Sequence, residues 1–254
     1  MRYLIITFVV FFLPIVVYPR SGELSDTLAV VTFVQGKVVL QRDQKAHPIR
    51  PNTFLYRYDR VISEDGKADI QIGPHTIVRL SPGSVLDFTE ITEDKDKRRI
   101  LLELQTGALY SKIVKKKEKD FLYQVKTPTT TAGVRGTEFI VAEEREERFK
   151  KLEDGDIPPG VFVNRGEVSV EVARDNKPMA VILREGEQLL TRTAEIRKQI
   201  LDEAMKKKMD IFARLQLLTE ENYEKLKKQR DRDLQNLRRI KERQQSDLER
   251  MRGK

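Results

Sequence analysis

Apolar and polar residues alternate with a period of two in several short stretches between Leu28 and Thr191. In Gly66-Lys-Ala-Asp-Ile-Gln-Ile72, Ala68, Ile70 and Ile72 fall on one side, with Asp69 and Gln71 on the other. Gly166-Glu-Val-Ser-Val-Glu-Val172 repeats the pattern with three valines. Successive side chains of an extended chain point to opposite faces, so this alternation predicts strands with one face in a core. Leu28–Val34, Gly36–Leu40 and Gly107–Ile113 are further candidates, the last with Leu109 and Ile113 on one side. Most of these stretches open on a glycine, a turn signal. Glycines 36, 66, 107, 136, 166 and 186 form a loose repeat, with spacings of 30, 41, 29 and 30 among the first five. The widest interval holds the charged insert Glu93–Arg99, and a second insert, 143–160, ends in Pro158-Pro159-Gly160. The pattern predicts a mainly β domain over residues 27–192. Stacked Gly-started strands suit a β-roll or short β-helix, and a sandwich is the alternative.

Beyond Thr193 the period changes. Ala194 to Arg252 contains no Pro or Gly and is rich in Lys, Arg, Glu, Gln and Leu, which is helix composition. Thr219 followed by Glu220 and Glu221 is an N-cap signal with acidic residues in the first turn. Region 193–254 is therefore expected to be helical, as two helices over about 194–218 and 220–252, arranged as a rod or a hairpin. Leu234, Leu237, Leu248 and Met251 keep a 3–4 spacing, but Lys241 and Gln244 occupy the seam between them, a thin coiled-coil signal. Residues 223–254 carry twelve Lys/Arg against six Asp/Glu, so most of the chain's net charge of +8 sits there.

At the other end, Arg2 precedes an apolar run from Leu4 to Val17, broken only by Thr7 and Pro14. This is short for a membrane span and suits the apolar region of a secretory signal. Residues 1–22 are expected to be a signal peptide or an N-terminal membrane anchor. Val16-Val-Tyr-Pro-Arg20 offers no small-x-small cleavage site, so removal and retention both stay open. The expected place is outside the cytoplasm, in the periplasm or on the outer face of the cytoplasmic membrane.

Composition narrows the chemistry. The chain has no cysteine, which excludes disulfides, thiolate metal sites and a cysteine nucleophile. His47 and His75 are its only histidines and lie in separate segments, so no multi-histidine metal site is expected. No Gly-Lys-Ser/Thr ending marks a phosphate-binding loop, and acidic pairs such as Glu143-Glu144 fall in charged loops. A non-enzymatic protein without a cofactor is expected.

The most informative stretch is Val125-Lys-Thr-Pro-Thr-Thr-Thr-Ala-Gly-Val-Arg-Gly-Thr-Glu-Phe-Ile-Val141. Pro128 removes a backbone donor and ends a strand at Thr127, while Thr137, Phe139 and Val141 begin another. Together with Gly36-Lys-Val38, Gly66–Ile70, Leu80–Ser84, Gly166-Glu-Val168 and Gly186-Glu187, in this order, it resembles the FecR-type domains. The resemblance implies a β-rich domain outside the cytoplasmic membrane that receives a signal. It marks Thr127, Pro128, Gly133, Val134, Arg135, Gly136, Thr137 and Phe139 as signature residues, mainly structural in role. In iron-transport systems a cytoplasmic segment ahead of such a domain controls a sigma factor. Here only Met1, Arg2 and Tyr3 precede the apolar run, so direct sigma-factor control is not expected.

The leading expectation is a signal-receiving or scaffold module with a C-terminal helical docking arm. Leu226, Leu234, Leu237 and Leu248 are its candidate partner-binding residues, for another protein or for self-association. The alternative is a binder of cell wall, anionic glycans or membrane surface through basic segments such as Lys112 and Lys115–Lys119. Nucleic acid is not an expected partner.

Overall fold

The computed structural model describes residues 29–94, 97–114, 120–134, 136–149, 157–172, 179–191 and 197–252. The leader segment 1–22, most of the basic run 115–119 and Arg135 lie outside these described residues. In chain order, the first strands are β1 (Ala29–Gln35), β2 (Val38–Arg42), β3 (Lys45–Pro48), β4 (Phe54–Leu55) and β5 (Arg60–Ser63). β6 (Lys67–Ile72), β7 (Thr76–Leu80), β8 (Ser84–Asp94) and the long β9 (Lys97–Ile113) follow. Then come β10 (Asp120–Lys126), β11 (Thr130–Val134), β12 (Glu138–Glu143) and β13 (Gly160–Arg165). β14 (Glu167–Val172), β15 (Met179–Arg184), β16 (Glu187–Leu190) and β17 (Arg197–Ile200) complete the strands. Among the described residues three α-helices follow: α1 (Glu203–Met209), α2 (Ile211–Arg214) and α3 (Glu220–Arg252).

The strands form two stacked layers. Layer one runs β4-β1-β6-β7-β9-β12-β13-β16-β17, using the second half of β9. Layer two runs β3-β2-β5-β8-β9-β10-β11-β14-β15, using the first half of β9. Every one of these pairings is antiparallel except β9 with β10. Antiparallel ladders choose the sandwich among the expected architectures, since a β-helix would stack parallel strands.

The chain passes between layers at Gly36, Gly66, Gly83, Gly107, Gly136, Gly166 and Gly186, each of which separates a strand, or half-strand, of one layer from the next in the other. These crossings lie against one another. A Cβ on Gly66 would stand 2.5 Å from the Gln35 carbonyl oxygen and 2.8 Å from the Gly36 carbonyl carbon. The sequence expectation of a strand opening at Gly107 is corrected: Gly107 lies inside β9, at φ +84°, where one strand bends from layer two into layer one. A Cβ there would meet the Gly83 carbonyl oxygen at 2.6 Å, so only glycine allows both the turn and the approach.

The interior faces carry the alternation read from the sequence. Ala68, Ile70, Ile72 and Leu109 of layer one pack with Val168, Val170 and Val172 of layer two in one buried cluster. Tyr123 of β10 meets Phe139 of β12 edge-to-face across the layers, with ring centroids 6.1 Å apart. The Tyr123 hydroxyl shares a 2.8 Å hydrogen bond with Ser111. Burial drives its acidity far below an ordinary phenol's, only partly offset by Ser111, so it stays a neutral polar tether.

A long helix over 194–218 is not what forms, and that expectation is corrected too. β17 first extends layer one beside β16, and the short α1 and α2 follow. Asp202 caps α1 by accepting the Met205 N–H at 2.8 Å. Leu201, Met205, Met209, Phe212 and Leu215 then lie on the outer face of layer one, against Ile77, Tyr110, Ile140 and Phe162. The centre of layer one is therefore buried on both faces, which explains the unbroken apolar run Phe139-Ile-Val-Ala142 in β12. α3 starts at Glu220, as its N-cap signal predicts. No described helix is long and apolar enough to cross a membrane.

The crease sets a measurable contrast. Gly107→Ala combines a left-handed backbone with steric overlap and is predicted to cost about 2–5 kcal/mol. Gly186→Ala has a similar φ of +78° but open space around its Cβ, so only the backbone term of about 1–2 kcal/mol applies. Urea denaturation checks this. Equal losses at both sites would contradict close packing along the crease.

Candidate functional site

The signature turn is held by a threonine. Thr127 is buried, and its Oγ1 accepts the N–H groups of Thr129 at 3.2 Å and Thr130 at 2.9 Å. Its own N–H donates to the Thr130 carbonyl at 2.7 Å, closing the β10–β11 hairpin after Pro128. Thr129 Oγ1 donates to Glu143 Oε2 at 2.7 Å, tying the turn to the end of β12. Gly133 sits within β11, where a Cβ would find only ordinary contacts at 3.9 Å. Val134 and Phe139 are buried in the interlayer cluster, and Gly136 makes the crossing between them. Thr137 is buried, its methyl facing Gly166 in the next crossing. The described signature residues thus lie in a turn, in a crossing or in the packed interior.

The signature does reach the C-terminal region through one side chain. Glu138, between Thr137 and Phe139, accepts from Asn164 Nδ2 at 2.7 Å. Its other oxygen stands 3.7 Å from Lys112 Nζ. Lys112 in turn donates to the carbonyls of Phe212 at 2.7 Å and Leu215 at 3.3 Å. An ammonium at the C-terminal end of a short helix satisfies carbonyls that have no helical partner. The sequence reading placed Lys112 in a basic segment suited to an anionic surface and missed this role. The detectable signal was its place in the alternation of β9, opposite Leu109 and Ile113.

Further anchors hold the start of α3. Gln71 Oε1 accepts the Leu218 N–H at 2.7 Å, and Tyr223 packs on Val30 beside Phe54, Leu218 and Leu226. Arg42 donates to the Phe54 carbonyl at 2.9 Å, and buried Asp59 accepts Arg42 Nε and the Tyr56 N–H, both at 2.7 Å. The Arg42 guanidinium lies 4.7 Å from the Tyr56 ring centroid. Burial raises the Tyr56 hydroxyl above its ordinary value, while Arg42 and Arg230 of α3 pull it back down. Arg230 is itself buried and bonded to Asp231 at 2.8 Å.

Past Arg230 the helix leaves the β-domain. Of the candidate partner-binding residues, Leu226 packs against the domain and Leu234 is half-buried. Leu237 and Leu248 are exposed, together with Ile240 and Met251. The structure does not gather the four leucines into one free surface. It does gather the signature, Lys112 and the root of α3 on one body. Among the described residues no group of three His, Cys, Asp or Glu side chains is placed to hold a metal ion.

The family model described as FecR protein matches residues 59–157, from the turn before β5 to the approach of β13. Over these residues the chain is similar to the FecR family. The matched span leaves out β1–β4 and β13–β17, which complete both layers of the sandwich. Two crystal structures of a candidate anti-sigma factor from Parabacteroides distasonis ATCC 8503 are similar, at 22% and 24% identity and TM-scores of 0.40. Each comparison covers 56% of this chain and 58% of the other, so the chain spans little more than half of those proteins' length. No curated protein matches the chain.

Two substitutions test the site. Thr127→Val keeps the shape but removes the acceptor of two N–H groups, that of Thr130 buried, and is predicted to destabilise the domain by about 1–3 kcal/mol in denaturant melts. Lys112→Met keeps the stem and removes the charge. Hydrogen exchange across residues 203–218 should then quicken by roughly tenfold, with interlayer amides unchanged, because a charged hydrogen bond is worth about 1.5 kcal/mol or more. Unaltered exchange in that segment would break the proposed link between signature and helices.

Proposed function

We propose that this FecR-domain protein is an exported, non-enzymatic module of the cell envelope that receives or relays a signal. In this reading the sandwich is a rigid platform and α3 is its docking arm. The carrying observation is the continuous connection from the signature through Glu138 and Lys112 to the helices that root α3. A strain arising at the signature crossing has a short mechanical route to the arm. The FecR match supports a signalling role, and the apolar run Leu4–Val17 supports export.

The arm reading is tested by truncation after Asp231, just past the last buried anchor of α3. The shortened chain should melt as the full chain does, yet lose its stable complexes in crosslinked cell envelopes. Retention of every complex would remove the docking role. For export, a C-terminal reporter active only outside the cytoplasm should be active, and a silent, intact fusion would sink that part.

A further inference from the structure

The stripe of α3 that docks on the β-domain does not end where the domain ends. Tyr223, Leu226 and Arg230 face the domain, and Leu234 continues their side of the helix, half-buried. From there a 3–4 spacing carries the same side through Leu237, Lys241, Gln244, Leu248 and Met251. Leu237, Leu248 and Met251 are 54%, 51% and 69% exposed, so this continuation of an established interface has no cover in one copy of the chain. We propose that a second copy covers it, the two arms pairing as an antiparallel, two-fold coiled coil over residues 232–252. This rests on the reading of α3 as a docking arm and names its partner.

Geometry chooses the direction. Each β-domain lies on the striped side of its own helix, below residue 231. In a parallel pair, two facing stripes would put both domains between the helices at the same height. An antiparallel pair sets the domains at opposite ends of a free segment about 30 Å long. The side chains agree. With the two-fold axis between Glu242 and Arg243, Leu237 of one copy meets Leu248 of the other, and Leu234 meets Met251. The two polar seam residues then face each other, Lys241 donating to the Gln244 side-chain oxygen of the second copy. Parallel pairing would instead stack Lys241 on Lys241. Closure about a two-fold axis also ends the assembly at two copies.

Charge separates this from an anionic partner. Residues 232–252 hold seven Lys/Arg against four Asp/Glu, so two arms repel at long range. Self-association must strengthen as salt rises, whereas attachment to an anionic glycan or lipid surface must weaken.

The test uses the full chain, which has no native cysteine to interfere. Leu237→Cys and Leu248→Cys variants are prepared separately and also co-expressed. Mild oxidation should yield a disulfide-linked dimer from the co-expressed pair and not from either variant alone. Equivalent positions would lie about 16 Å apart along an antiparallel pair, beyond a disulfide's reach of about 7 Å between Cα atoms. Sedimentation should show the dimer fraction of the unmodified chain increasing with salt, and Leu248→Arg should abolish it. Crosslinking within Leu237→Cys alone would overturn the antiparallel arrangement. A monomer at every salt concentration, with no mixed crosslink, would overturn self-association. If truncation after Asp231 still removed envelope complexes from such a monomer, the docking role would stand with a different partner. A dimer surviving that truncation would place the interface elsewhere and overturn the proposal.

Discussion

Everything in this molecule depends on backbone passing close to backbone along one crease. A long antiparallel ribbon is folded double, and at each crossing the chain must turn sharply while lying against a neighbouring crossing. Gly36 and Gly66 touch in this way, as do Gly107 with Gly83 and Gly166 with Gly136. Side chains at the tightest of these points would hold the layers apart. Removing the crease would leave two half-buried sheets with no means of keeping their apolar faces together, and hydrophobic burial is what stabilises the pair.

The doubled ribbon makes two unlike outer faces. Layer two alternates polar residues outward, as Glu167, Ser169 and Glu171 show, and is at ease in water. Layer one turns Ile77, Tyr110, Ile140 and Phe162 outward and needs a cover. α1, α2 and the root of α3 provide it, so residues 201–230 pack as part of the folded body. The polar anchors refine this cover. Lys112 ends α2, Gln71 receives the chain before α3, and Arg42, held by Asp59, bonds the Phe54 carbonyl.

From that arrangement follows the division of labour proposed for the protein. The described signature residues set a hairpin at Thr127 and a crossing at Gly136. What the signature can do is fix the position of Glu138, and through Lys112 the footing of the helix. Beyond Arg230 the described part of α3 is largely exposed, and there it keeps the stripe that packs it on its own domain.

By itself the sequence determined those features that rest on local rules. Period-two alternation located the interior faces of β6 and β14, because the pleat permits no other placement of Ile70 or Val170 once a core exists. Glycine marked the crossings, and Thr219 with Glu220 and Glu221 marked the start of α3, because a helix start is chemistry within one turn. Tertiary structure decided the rest. Residues 197–200 have helix-forming composition, yet the open edge of β16 offered them ladder hydrogen bonds and they became a strand. Gly107 bends a continuous strand instead of opening one, since only the second layer shows that β9 belongs to both. Lys112 found its partners in residues about a hundred positions away, and no local pattern encodes a contact whose two halves meet only after the ribbon has folded double.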